Sequence, residues 1–191
     1  MQYYQEITLL PDNEISSHFL WQKCYQQLHI ALVNQKDTNG HSRIGISFPE
    51  YDQQLGRKLR LFANSKTELE ALDIPSYLSR LTDYLHFMRA RPIPDNKIQS
   101  YAIFKRIQNK TNPERIARRK AKREGISYQQ ALDFLKGRQQ PHYKLPYIHI
   151  KSASTGQTYP LLIQRIKAAE AKPNCIFNSY GLSINSPLPL F

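Results

Sequence analysis

Cysteine is nearly absent from this sequence. The 191 residues include only two cysteines, Cys24 and Cys175, which stand far apart and form no Cys-x-x-Cys pair. A disulfide framework needs several cysteines at framework spacings, and a structural zinc site needs closely spaced cysteine or histidine ligands. The sequence therefore predicts neither of them, and it favours a reducing compartment.

Long apolar stretches are missing as well. No run approaches the ~20 apolar residues that span a bilayer, and the N-terminal segment lacks the basic-then-apolar layout of a signal peptide. We therefore expect a soluble, cytoplasmic protein with no membrane partner. Because 40% of the residues are apolar, the chain can still bury an ordinary core.

Acidic residues are scarce in the second half of the chain. Residues 1–97 carry 11 Lys or Arg and 11 Asp or Glu, whereas residues 98–191 carry 16 basic and only four acidic residues. The whole net charge of +12 therefore comes from the second half. A solvated basic face is one explanation, but such segregation is more typical of a protein that binds a polyanion.

The first half of the chain predicts the order β-α-β-β-α-β. Patterns of apolar and turn residues indicate strands at residues 3–10, 43–48, 58–62 and 86–89, and helical segments at residues 16–33, 66–72 and 76–84. The expected apolar side of the first helix comprises Phe19, Leu20, Cys24, Leu28, Ala31 and Leu32. This order is typical of a ferredoxin-like domain. We expect that domain at residues 1–90 and a linker at residues 91–97.

The second half predicts a further α+β domain at residues 98–191. Strands are expected at residues 101–107, 147–151, 159–165 and 175–180. Asn112, Pro113 and Glu114 indicate the start of a helix that ends at Gly125. A capping box formed by Ser127 and Gln130 predicts a shorter helix to about residue 136.

The helix expected at residues 113–124 is dense in positive charge. Its basic residues are Arg115, Arg118, Arg119, Lys120, Lys122 and Arg123. At 3.6 residues per turn, four of them form one basic stripe, namely Arg115, Arg119, Lys122 and Arg123. Like charges one turn apart destabilise a helix unless an anion lies against them. The pattern therefore favours nucleic acid over a solvated surface, and it lacks the bulky apolar anchors of a membrane-surface helix.

A strand and a turn also carry polar residues that can bind RNA. Arg106 and Gln108 are two residues apart, so their side chains share one face of the strand. Arginine can pair bidentately with guanine and glutamine with adenine, although an outer strand face often carries two polar residues. The hydroxyl-rich turn at residues 151–157 is either structural, as most such turns are, or presents hydroxyl and N–H groups to a phosphate.

His29 lies in the middle of the first predicted helix. A single helical histidine is usually a packing or surface residue, and a catalytic role is the alternative. No side chain of metal-ligand type stands three or four residues after His29. We therefore predict no metal site and no cofactor.

Five segments together resemble one known family. They are Leu28-His29-x-Ala31-Leu32-Val33, Ile44-Gly45-Ile46-Ser47-Phe48-Pro49, Asn112-Pro113-Glu114-Arg115, Ser154-Thr155-Gly156-Gln157 and Tyr180-Gly181-Leu182-Ser183, with Phe191 as a C-terminal aromatic residue. Through these motifs, and over nearly the whole chain, the sequence resembles the CRISPR repeat-processing endoribonucleases of the type I-F systems.

The resemblance implies a fold and a set of functional residues. It implies an N-terminal ferredoxin-like domain and an arginine-rich helix that lies in the major groove of a repeat hairpin. It makes His29 the catalytic histidine, Ser152 the serine that positions the ribose, and Tyr180 an active-site tyrosine. Arg106 and Gln108 would read purines at the base of the stem, and an aromatic ring would stack under its last base pair. The expected RNA-binding residues are Arg106, Gln108, Arg115, Arg118, Arg119, Lys122, Arg123, Ser154, Thr155 and Tyr159, with Tyr159 as the stacking ring.

The resemblance also implies an activity and partners. The expected activity is metal-independent cleavage of CRISPR repeat RNA at the 3′ base of the hairpin, by attack of a 2′-OH that leaves a 2′,3′-cyclic phosphate. The expected partners are the repeat hairpin, which stays bound after cleavage, and the other subunits of an RNA-guided surveillance complex. A non-catalytic RNA-binding module is the rival interpretation, which gives His29 no task. An RRM is disfavoured because the sequence has no RNP1-like segment.

Overall fold

The computed structural model describes residues 1–108, 113–136, 143–152 and 155–191, which form helices and two β-sheets. The strands are β1 (Tyr3–Leu9), β2 (Gly45–Ser47), β3 (Lys58–Ala63), β4 (Leu85–Phe87), β5 (Arg91–Pro92), β6 (Ser100–Ile107), β7 (Tyr147–Lys151), β8 (Thr158–Ala168) and β9 (Leu188–Leu190). The helices are α1 (Ser17–Asn34), α2 (Lys66–Ala71), α3 (Ile74–Tyr77), α4 (Pro113–Glu124) and α5 (Tyr128–Lys136), with 3₁₀ turns at Ser79–Tyr84 and Asp95–Lys97. The predicted α+β class is confirmed.

The first sheet has the strand order β2-β3-β1-β4, and its neighbouring strands are antiparallel. The central strand β1 pairs Ile7 with Leu59 of β3 on one side and with Phe87 of β4 on the other. The short strand β5 also pairs with β1, beyond the end of β4. Ile7 and Leu59 are fully buried, so this pairing lies at the centre of the core.

The second sheet has the strand order β7-β8-β6-β9. Antiparallel pairing of β7 with β8 sets Ile148 opposite Leu161, and both are fully buried. Side chains of the two sheets belong to one hydrophobic core. Within it the rings of Phe48 and Phe104 lie 6.1 Å apart, and the Tyr51 hydroxyl donates to the Ile163 carbonyl at 2.7 Å.

Helix α1 begins where the sequence predicts. The sequence predicts Ser16 or Ser17 as its N-cap, and it is the Ser16 hydroxyl that accepts a hydrogen bond from the Phe19 N–H, at 3.3 Å. The buried side of α1 comprises Leu20, Trp21, Cys24, Tyr25, Leu28, Ala31 and Leu32. The prediction was wrong for Phe19, which is 46% exposed beneath the Lys23 ammonium, while Trp21 and Tyr25 complete the buried side.

The strand predicted at residues 175–180 is wrong. Phe177 forms a single bridge with Ser42, and the chain then turns instead of extending. The Asn178 side chain accepts from the N–H groups of Tyr180 and Leu182, and these bonds stabilise a turn. The helix predicted at residues 76–84 is also divided, into α3 and a following 3₁₀ turn.

Helices α4 and α5 pack against each other. Ala117 of α4 and Ala131 of α5 are fully buried, and the Lys120 ammonium of α4 lies 4.0 Å from the centre of the Phe134 ring of α5. Gly125 ends α4 with a φ of +67°, and the expected capping box of Ser127 and Gln130 is present at the start of α5. The expected N-cap of α4, Asn112, lies outside the described residues.

Contacts divide the chain into two compact units, residues 1–106 with 145–191, and residues 107–144. The first unit contains both sheets, with Arg91–Pro92 paired to β1 and Ile93 buried. The predicted domains at residues 1–90 and 98–191, joined by a linker at 91–97, stay a prediction. Within the described ranges, no helix combines the length and apolarity that crossing a membrane requires.

Candidate active site

The His29 imidazole, on α1, is held from two sides. Its Nδ1 lies 2.7 Å from the Ser179 carbonyl oxygen, and its ring stacks on the Tyr180 ring at 4.2 Å between centres with 6° between planes. A carbonyl oxygen can only accept, so Nδ1 carries the hydrogen of this bond. The neutral ring therefore has its lone pair on Nε2, where it can accept a proton from another molecule.

The environment of His29 favours the neutral ring. Partial burial lowers its pKa from the ordinary value of 6.5, and the nearby Arg106 guanidinium lowers it further. The bond to the Ser179 carbonyl acts in the opposite direction, but the net pKa is lowered. His29 is therefore mainly neutral at pH 7 and suited to act as a general base.

Tyr180 belongs to a cluster with Tyr159 of β8 and Arg106 of β6. The Arg106 guanidinium carbon lies 4.9 Å from the centre of the Tyr180 ring and 5.4 Å from that of Tyr159. The two tyrosine hydroxyls are 2.6 Å apart. Burial and the bond to Tyr180 raise the pKa of Tyr159 to about 12, so the Tyr159 hydroxyl stays protonated at neutral pH.

The Arg106 side chain also has an unsatisfied group. Its Nε is buried and has no hydrogen-bond partner among the described residues. Buried N–H groups of native proteins are nearly always paired, and a guanidinium binds anions and carbonyl oxygens strongly. Arg106 can therefore take a ligand with an acceptor oxygen or nitrogen at this place.

The loop that carries Tyr180 is fixed by buried contacts on α1 and β2. The Tyr25 hydroxyl, fully buried on α1, donates to the Tyr180 carbonyl at 2.7 Å. The Ile46 N–H of β2 donates to the Gly181 carbonyl at 2.8 Å. These bonds join residues far apart in sequence and set the Tyr180 ring against His29.

Ser152 follows β7 and opens a tight turn. Its N–H donates to the Gln157 carbonyl at 2.8 Å, and its carbonyl accepts from the Gly156 N–H at 2.9 Å. The Ser152 hydroxyl accepts from the Thr155 N–H at 3.3 Å, and the Thr155 side chain is exposed. These hydrogen bonds therefore fix the backbone of Ser152 against that of Gly156 and Gln157.

Comparisons with known proteins show the family of this chain. A family model described as CRISPR-associated protein (Cas_Csy4) matches residues 4–191. The chain belongs to this Csy4 family. Two relatives, from Escherichia coli (strain UTI89 / UPEC) and Pseudomonas aeruginosa (strain UCBPP-PA14), are each named CRISPR-associated endonuclease Cas6/Csy4. They are 32% and 34% identical to this chain, and each match covers 100% of both chains. The family expected from the sequence motifs is confirmed.

Helix α4 of this Csy4-family chain exposes its basic stripe, since Arg115, Arg119, Lys122 and Arg123 all face solvent. Acidic residues stand only at the two ends of the helix. Glu114 pairs with Arg118 at 3.3 Å, and Glu124 pairs with Lys120 and, at 2.8 Å, with Arg123. The middle of the exposed surface is therefore purely basic.

The structure brings together four of the predicted site residues, His29, Tyr180, Arg106 and Tyr159. Ser152 and Thr155 share the turn after β7. Gln108 lies just beyond β6 and is exposed, and the α4 residues belong to the separate unit 107–144. Ser154 lies outside the described residues.

Sequence reasoning missed three contributors to this site. They are the Ser179 carbonyl, the Tyr25 hydroxyl and the Asn178 side chain, which hold His29 and the Tyr180 loop. No local motif marks them, because the first two bonds span 150 and 155 residues. Only the position of Tyr25 one turn before His29, on a helix face, was visible in the sequence.

Proposed function

We propose that this Csy4-family protein is an endoribonuclease that cuts CRISPR repeat RNA at the 3′ base of its hairpin. The observation that carries the proposal is the His29 imidazole, whose Nδ1 is bonded to a carbonyl, whose Nε2 has no hydrogen bond to any residue that the structure describes, and whose pKa is lowered. The endonuclease names of two full-length relatives support the same reaction class.

The proposed reaction uses the nucleophile that RNA supplies. His29 Nε2 takes the proton of the 2′-OH before the scissile phosphate, while the Ser152 hydroxyl holds that 2′-oxygen and Tyr180 orients the imidazole. The 2′-oxygen forms a bond to phosphorus, the bond from phosphorus to the 5′-oxygen breaks, and the leaving 5′-oxygen takes a proton from solvent. The products are a 2′,3′-cyclic phosphate and a 5′-OH. The reaction needs no metal ion, because His29 generates the nucleophile.

The proposed RNA-binding surfaces follow from charge and exposure. The basic stripe of α4, with Arg118, binds the phosphates of the hairpin stem. Arg106, with its unsatisfied Nε, and Gln108 bind purine edges at the base of the stem, and the Tyr159 ring stacks under the last base pair. Thr155, in the turn after β7, and Ser154 bind the RNA backbone near the cut.

The proposal extends to the fold and to the partners. The strand order β2-β3-β1-β4 with antiparallel neighbours, and helices following β1 and β3, support a ferredoxin-like arrangement of residues 1–90. A protein that grips a stem with this much positive charge is expected to retain its product. It would then deliver the guide RNA to the other subunits of a surveillance complex in the cytoplasm.

One assay tests the cleavage mechanism. The purified protein is incubated in excess chelator with an end-labelled repeat hairpin from the neighbouring CRISPR array, and with the same hairpin carrying a 2′-deoxy residue before the cut. We expect cleavage of the first RNA to a 2′,3′-cyclic phosphate and no cleavage of the second. Cutting of the 2′-deoxy RNA would refute the mechanism, and hairpin binding without cutting would leave only an RNA-binding protein.

Two matched variants test His29. His29→Ala should abolish cleavage and leave hairpin affinity unchanged, because the imidazole takes part in the reaction and not in gripping the stem. His86→Ala, which removes an exposed histidine on β4, should cut at the wild-type rate. Wild-type cleavage by His29→Ala would exclude this imidazole as the base.

A further inference from the structure

The Gln26 side chain bridges α1 to the end of β7. Its Oε1 accepts from the Lys151 N–H at 2.8 Å, and its Nε2 donates to the Lys151 carbonyl at 3.2 Å. Strand β7 is at the edge of the second sheet, so its outward N–H and C=O groups have no neighbouring strand to pair with. One side-chain amide therefore completes the backbone hydrogen bonding of one residue, as a neighbouring strand would.

This bridge lies between the two parts of the proposed site that carry His29 and Ser152. Gln26 stands three residues before His29, and side chains at that spacing share one face of a helix. Lys151 directly precedes Ser152, whose own backbone is fixed by the bonds of the following turn. Between His29 and Ser152 the covalent chain is 123 residues long, whereas the path through Gln26 consists of one helical turn, one side chain and one peptide bond.

We propose that Gln26 is a positioning residue that sets the Ser152 turn against His29. The inference rests on the proposed function, in which the base and the serine act on the same 2′-OH. Catalytic groups must be held within about 0.5 Å of their productive geometry, and a misplacement of about 1 Å can lower a rate roughly 100-fold. The amide gives this precision because two hydrogen bonds fix both the distance and the orientation of β7 relative to α1.

The first test removes the two hydrogen bonds and nearly conserves the volume. Gln26→Leu should lower the single-turnover cleavage rate at saturating enzyme by about 10- to 100-fold, with unchanged affinity for the hairpin, because the residue holds the reacting groups and not the stem. Gln27→Leu is the matched control. It alters the neighbouring glutamine of α1, which is also half-buried and makes no hydrogen bond to Lys151 in the described part of the chain, and should cut normally. A normal rate for Gln26→Leu, or an equal loss in both variants, would overturn the proposal.

The second test uses a carboxyl group in place of the amide. In Gln26→Glu the ionised carboxylate still accepts from the Lys151 N–H but places a negative oxygen against the Lys151 carbonyl, whereas the protonated carboxyl can donate to it. The ratio of the variant rate to the wild-type rate should therefore rise as pH falls toward about 4.3, the ordinary pKa of glutamate. The new carboxylate also raises the pKa of His29, so the ratio is corrected by that of Gln27→Glu, which puts the same charge on the neighbouring residue of α1. A ratio that stays constant with pH would overturn the proposal, even if Gln26→Leu fails to fold.

A double-mutant cycle separates this inference from the proposed function. If Gln26 acts through the Ser152 turn, Gln26→Leu should slow cleavage far less in a Ser152→Ala background than in the wild type. Equal effects in the two backgrounds would contradict the positioning role. Failure of the proposed function gives a different result, since Ser152→Ala would then cut at the wild-type rate or the wild-type protein would not cut at all.

Discussion

Gly181 offers a sharp test of how the Tyr180 loop is held. Its φ is +69°, and a Cβ added there would lie 2.6 Å from Ile46 Cγ1, well inside van der Waals contact. The left-handed conformation costs an L-residue about 1–2 kcal/mol, and an overpacked contact adds about 1–3 kcal/mol. Gly181→Ala should therefore lower the free energy of unfolding by about 2–5 kcal/mol.

The matched control for this substitution is Gly40→Ala. Gly40 has a comparable φ of +79°, but a Cβ there would meet nothing within 4 Å. Gly40→Ala should therefore lower the free energy of unfolding only by the cost of the left-handed conformation, about 1–2 kcal/mol. Urea denaturation of both variants, followed by circular dichroism, measures the two losses, and their difference isolates the collision with Ile46.

The same two variants report on the site. Relief of the collision must move the loop, so the Tyr180 ring should shift from the His29 ring, and the cleavage rate of folded Gly181→Ala should fall. Gly40→Ala should cut normally. Equal destabilisation by the two substitutions would refute the steric argument, and full activity of a destabilised Gly181→Ala would refute the role of the loop in positioning the site.

Three further perturbations have defined outcomes. Tyr25→Phe should lower the free energy of unfolding by about 0.5–1.5 kcal/mol, because the Tyr180 carbonyl loses its donor in a part-buried hydrogen bond; unchanged urea denaturation would contradict this. The value of kcat/KM, which reports the free protein, should rise with pH through a midpoint below 6.5 and then level off, because only the neutral His29 ring accepts a proton and its pKa is lowered; a midpoint above 6.5 would contradict the assignment. Arg119→Ala should weaken hairpin binding and make the salt dependence of log K shallower by about 0.7–0.9, as measured by filter binding. Arg80→Ala, an exposed arginine in the neutral half, should leave that slope unchanged.

Elements with local signals could be predicted from the sequence. Ser16 caps α1, Gly125 ends α4, and Ser127 with Gln130 caps α5, because each signal is read within a few residues. The error at residues 175–180 has a physical reason. The β-rich composition there predicts a strand, but the Asn178 side chain pairs with following backbone N–H groups and stabilises a turn instead.

The candidate site was predictable in its residues and not in its geometry. Motifs of the sequence singled out His29, Tyr180 and Arg106, which the fold brings together. Their orientation depends on bonds across 150 residues or more, such as the one from His29 to the Ser179 carbonyl. Periodicity and turn chemistry report only on near neighbours in sequence, so neither could indicate the tautomer of His29.

The charge of Arg106 has two consequences in the proposed reaction. A guanidinium beside the site attracts the phosphates of RNA, and the same charge disfavours a second positive charge on His29. The bound phosphodiester acts in the opposite direction, because a nearby anion stabilises the imidazolium and would raise the pKa of a histidine base. The Arg106 guanidinium acts against this rise in the pKa of His29, because it lies over the Tyr180 ring on which the His29 ring stacks. A ribonuclease that uses a neutral imidazole therefore needs positive charge close to its base, as well as along the stem.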